Sequence, residues 1–132
     1  MSQFIEGDYL TGKAGENLSG LRYHFVEERT ADTFHQASQT TAITAGILQN
    51  KPQNGEHARV KFQGVSKVYA GGTITANALF TNNASGAAAV VTSGTIIKGR
   101  ARSAVASGGI FEGIIYSGGL QTTLSVVNSA VV

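Results

Sequence analysis

Glycines recur through the second half of this chain at intervals that leave little room for a helix: Gly55, Gly64, Gly71-Gly72, Gly86, Gly94, Gly99, Gly108-Gly109, Gly113 and Gly118-Gly119. The segments between them are rich in Val, Ile and Thr, and β-branched side chains favour the pleated conformation. The chain is therefore expected to be mainly β, with short strands joined by tight turns. Strands are predicted near Leu21 to Val26, Ala42 to Leu48, His57 to Phe62, Ser66 to Tyr69, Ala78 to Thr81, Ala87 to Val91, Thr95 to Arg102, Phe111 to Tyr116 and Thr122 to Val127. Short strands in this number suit a small β-barrel or sandwich-like domain. Glu27 to Asp32 reads as a polar loop or helical turn, and Asn50 to Gly55, with the only proline, as a loop. The Gly-Gly pairs are unevenly spaced and their flanks do not match, so no internal repeat is expected.

Charge is scarce. Between Lys67 and Lys98 there is no Asp, Glu, Lys, Arg or His, and Glu112 is the only charged residue after Arg102. Charged residues make up 14% of the chain, against about 25% in ordinary soluble domains. Such a chain has few proton donors, nucleophiles or ligands, and its polar surface suits burial in an assembly. No histidine sits in a recognisable metal-ligand pattern, no Gly-x-Ser-x-Gly elbow is present, and there is no cysteine to make a disulfide or thiolate site. The reading is a non-enzymatic protein with no catalytic, cofactor or metal site. The net charge of +2 does not require a polyanionic partner, so neither nucleic acid nor membrane is expected as one. No signal peptide is visible at the N-terminus, which points to synthesis in a cytoplasm.

Residues 1–20 differ from the rest, with Gly7, Gly12, Gly15 and Gly20 scattered among polar residues and Phe4, Ile5, Tyr9, Leu10 and Leu18 as anchors. They are read as an extended N-terminal arm that lies on a partner, ahead of a single β-rich domain at residues 21–132. The same residues also suit a first strand in the domain's own sheet. Lys98, Arg100 and Arg102 alternate with Gly99, Ala101 and Ser103, so on a regular strand all three cations share one face. That face is either a basic ridge for an acidic partner surface or a solvated edge.

The run from Ala45 through Pro52 and Gly55 to Val60, then Gly64-Val65-Ser66-Lys67-Val68-Tyr69-Ala70-Gly71-Gly72-Thr73-Ile74-Thr75-Ala76, resembles the capsid cement, or head decoration, proteins of tailed bacteriophages. The resemblance continues through Ala78-Leu79, Asn83 to Gly86, and Gly99 to Ala104, and spans roughly residues 42–118. Members tend to have Gly where Asn77 stands and a less basic segment at Arg100 and Arg102. The resemblance implies a structural virion protein on the outer surface of the capsid. It would bind the major capsid protein, often as a homotrimer, and stiffen the head against internal DNA pressure. On that reading Phe4, Ile5, Tyr9 and Leu10 of the arm and Lys98, Arg100 and Arg102 of the ridge are the docking residues. The alternative from a different class is a β-rich module binding host glycans through Tyr69, Phe80 and Tyr116.

Overall fold

The computed structural model describes residues 7–39, 44–91 and 96–121. Nine strands are present among them: β1 (Gly7–Ala14), β2 (Phe25–Thr30), β3 (Thr33–Gln36), β4 (Gly46–Leu48), β5 (His57–Tyr69), β6 (Leu79–Asn82), β7 (Ala88–Val90), β8 (Ile96–Ala101) and β9 (Ile110–Gln121). They form one sheet in the order β1-β3-β2-β4-β5-β9-β8-β6-β7, and an antiparallel β1–β5 pairing closes the first five into a barrel. The expectation of an all-β small barrel holds. Of the two readings of residues 1–20, Gly7–Ala14 takes the strand: it pairs with β5 from Gly7↔Gly64 to Lys13↔His57 and with β3 at Lys13↔Thr33. Phe4 and Ile5 lie outside the described residues, as does the strand predicted at Thr122 to Val127.

The barrel is filled from every wall. Ala14 of β1, Val26 of β2, Phe34 of β3, Leu48 of β4 and Ala58 and Val60 of β5 form one apolar cluster, plugged by Leu18. A second cluster lies outside it. Phe25 and Ile47, each one residue from an inward-facing neighbour, turn away from the barrel interior and pack with Val68, Ile74, Phe80, Phe111 and Ile115. Thus β2 and β4 bury side chains of both parities, which is why Phe25-Val26 and Ile47-Leu48 are consecutive apolar pairs instead of alternating ones. The predicted alternation over Leu21 to Val26 fails for this reason and a local one: Tyr23 adopts φ of 70°, and His24 N–H donates to Leu21 O at 3.0 Å, so a turn precedes the strand. The polar run Glu27 to Thr30 is strand, not loop. It leads through a turn at Ala31-Asp32 into β3, and its exposure on both faces is what made it read as a loop.

β5 joins two predicted strands across Gly64, whose φ is 105°. Its first half belongs to the barrel and its second half pairs with β9, from Gly64↔Ile115 to Tyr69↔Ile110. Beyond it the chain contains a repeat that the sequence reading missed. Ala70–Phe80 and Ala101–Phe111 take the same backbone course and interlock about a local two-fold axis. Ile74 and Val105 exchange both backbone hydrogen bonds at 2.9 Å; Asn77 N–H donates to Ala101 O and Gly108 N–H to Ala70 O, both at 2.8 Å. Asn77 and Gly108 occupy equivalent places with φ of 70° and 88°, the left-handed region that Gly and Asn tolerate. The flanking pairings obey the same symmetry, Val68↔Phe111 and Tyr69↔Ile110 on one side, Gly99↔Phe80 and Arg100↔Leu79 on the other. Only Ala and Phe at the two ends are identical between the copies, so the repeat is carried by turn geometry.

At the axis Phe80 and Phe111 meet edge to face with centroids 5.2 Å apart. Phe80 is enclosed by glycines: a Cβ on Gly99 would stand 2.4 Å from Phe80 Cζ and 2.6 Å from Ile114 O, and one on Gly113 would lie 2.9 Å from the ring. Gly99→Ala is therefore expected to cost about 1–3 kcal/mol by overpacking. Gly72→Ala, where a Cβ meets nothing within 4 Å, is expected to stay within about 0.5 kcal/mol of the parent. Urea unfolding of the two variants checks the pair.

Candidate docking surface

The predicted docking residues separate in space. Tyr9 lies on β1 opposite Lys61 of β5; Arg59 Cζ stands 3.9 Å and Lys61 Nζ 5.1 Å from its ring centroid. Both cations lie within cation–π range of the ring. Leu10, the next residue, is 37% exposed and one of three large apolar side chains that stand in solvent among the described residues, with Val90 and Ile110. β1 thus carries Tyr9, held by Arg59 and the buried Lys61, on one face and the exposed Leu10 on the other.

The basic ridge does not form as expected. The β8–β9 register shifts between Ile97 and Gly99, which breaks the alternation on which a shared face depends. Lys98 is only 1% exposed and donates from Nζ to Asn82 Oδ1. Arg100 is half-buried and its Nη1 donates to Asn77 Oδ1 at 3.0 Å, bridging the two copies of the repeat. Arg102 is exposed and forms an ion pair with Glu112 at 3.4 Å; an exposed pair of this kind contributes little to stability. Arg100 and Arg102 are left as surface cations of that segment, and Lys98 is part of the interior.

A cluster not anticipated from sequence lies where the turn before β2 meets the end of β5. Ser19, Gly20, Arg22, His24, Lys51 and Tyr69 line a concavity of about 330 Å³. His24 stacks on Tyr69 with centroids 4.5 Å apart and planes 16° from parallel. Its Nδ1 lies 3.2 Å from Arg22 O, so the ring donates there when Nδ1 is protonated. Arg22 and Lys51 are exposed at the lip, and Arg22 Nε donates to Gln49 O at 3.1 Å. The members are distant in sequence and no motif joins them; only the positive-φ turn at Tyr23 brings His24 onto Tyr69. Of the aromatics considered for sugar stacking, Phe80 is fully buried and belongs to the core, while Tyr69 and Tyr116 are half-buried.

With this geometry in view, no family model matches the chain, and no curated protein sequence does. Among solved structures its fold is similar to that of the head fiber gp8.5 N base in bacteriophage phi29. The TM-score is 0.69 at 18% sequence identity, over 86% of this chain and 98% of that one. The likeness is one of fold, and it extends over nearly the whole of the phi29 base.

Burial holds the His24 imidazole below its ordinary pKa, against the opposing pull of the Arg22 and Leu21 carbonyls. The unfolded chain takes up the proton near the ordinary value while the folded chain resists it, so the unfolded state binds more protons in that window and stability falls as pH drops through it. Going from about pH 7.5 to about pH 5 should therefore lower the urea midpoint. His24→Phe, which keeps a ring on Tyr69, should show a smaller drop; an unchanged pH dependence in that variant would assign the effect to other groups.

Proposed function

We propose that this chain is a non-enzymatic structural protein of a phage virion. It binds the outer surface of the head through the major capsid protein and acts as a cement or decoration protein. The observation that carries the reading is the likeness to the phi29 head-fiber base over 98% of that chain, which supports a module seated on a phage head. The cement resemblance read from residues 42–118 supports the same location from independent features, its turns and strand spacings. The low charge and exposed Leu10, Val90 and Ile110 suit a protein whose surface is completed by neighbours.

On this reading residues 1–6, with Phe4 and Ile5, contact the capsid subunit together with Tyr9 and Leu10. Arg100 and Arg102 supply a second contact. Three copies around a local three-fold position would multiply weak contacts through avidity. Homotrimer formation and co-sedimentation with expanded, undecorated heads test the proposal together. Deleting residues 1–6 should reduce head binding at least tenfold while the far-ultraviolet spectrum stays that of the parent, because β1 begins at Gly7. Head binding by the truncated protein at parental strength would remove the arm from the mechanism, and absence of binding by the intact protein would remove the cement reading itself.

A second reading, a glycan-binding module on the virion, draws on the concavity at Tyr69 and His24. Its two exposed cations suit an acidic sugar, and a glycan array probed with the intact protein decides it by the presence or absence of hits.

A further inference from the structure

Lys98 and Asn82 form a buried polar pair that head docking does not use. Lys98 on β8 is 1% exposed and Asn82 on β6 is 0% exposed. Lys98 Nζ donates to Asn82 Oδ1, while Asn82 Nδ2 donates to Gln39 O at 3.1 Å and to Asn83 O at 2.9 Å. The carboxamide is therefore held at both ends. Its strand neighbour Thr81 and the neighbours of Lys98, Ile96 and Ile97, are buried too, so water has little access to the pair. Glu27 on β2 acts on Lys98 through its charge, and its own Oε2 is held by Arg29 Nε at 2.8 Å.

These are the components of an amide exchange: an amine and a carboxamide in contact in a desolvated setting. Desolvation lowers the Lys98 pKa to about 8 despite the opposing charge of Glu27, so free amine is present at mildly alkaline pH, and the free amine is the nucleophilic form. The amide carbon lies one carbonyl bond beyond the oxygen that Nζ already contacts. Fixing the two groups in contact replaces a slow bimolecular encounter with an intramolecular one.

We propose that Lys98 and Asn82 become joined by an isopeptide bond that the folded chain forms by itself. The Nζ lone pair adds to Asn82 Cγ and forms the new carbon–nitrogen bond. A proton moves from the added nitrogen to Nδ2. The Cγ–Nδ2 bond then breaks, its electron pair leaving with nitrogen, and ammonia departs. One primary amide is exchanged for one secondary amide, so no oxidant, reductant or co-reactant is needed. The product ties β6 to β8 and closes residues 82–98 into a covalent loop, which locks one half of the two-fold interlock.

The test is the intact mass of the full chain after incubation, folded, at mildly alkaline pH, followed by a protease map. The expected mass is below that of the sequence by one ammonia, and the map should contain a branched peptide joining the segments of Asn82 and Lys98. Lys98→Arg and Asn82→Ala should each show their full sequence mass. A folded parent protein at full sequence mass overturns the proposal without reference to any variant. Ammonia loss that persists in Lys98→Arg also overturns it, because the loss then arises elsewhere, for example at Asn54-Gly55.

Discussion

The reciprocal pairing of Ala70–Phe80 with Ala101–Phe111 is the interaction on which the rest of this structure depends. Each loop closes one turn of its own, Ala78 N–H donating to Thr75 O and Gly109 N–H to Ala106 O at 3.1 Å, and pairs with the other through the Ile74–Val105 exchange and the matched bonds of Asn77 and Gly108. Much of each loop stays exposed, and the pairing buries Ala70, Ile74 and Phe80 of one copy and Ala101 and Phe111 of the other. The axis also fixes where Phe80 and Phe111 meet, and hence why Gly99 and Gly113 must lack side chains.

The interlock is built onto the barrel by three strands that serve both. β5 passes from one to the other at Gly64, while β2 and β4 send Val26 and Leu48 into the barrel and Phe25 and Ile47 into the second cluster. The two cores therefore share walls, and neither half can be opened without exposing apolar surface of the other. For a chain of 132 residues this sharing offsets the small size of each core. It also seats β1 and the concavity at Tyr69 on shared, packed walls.

Tyr9, with Arg59 and Lys61 within cation–π range of its ring, and the exposed Leu10 stand on the first barrel strand. The interior Lys98 and the surface residue Arg100 come from a single strand, β8, and Arg102 follows it. Their division of labour follows from one register shift, which turns Lys98 inward.

The sequence alone determined the all-β class, the position of most strands and the absence of a recognisable catalytic motif, because glycine punctuation, β-branched runs and missing ionisable groups are local properties that need no partner to be read. It also singled out Tyr9 and Leu10 as candidate anchors, since an aromatic and a leucine stand out in a polar, glycine-rich segment. Only the tertiary structure decided that Gly7–Ala14 closes a barrel, that Glu27 to Thr30 is strand, and that Lys98 is inside. Each of these depends on a register or a covering surface supplied by distant residues: β5 for β1, β3 for β2, and the shifted β8–β9 ladder for Lys98. The repeat stayed hidden for a related reason. Two-fold pairing constrains backbone direction and the sign of φ at Asn77 and Gly108, and different side chains meet those constraints equally well.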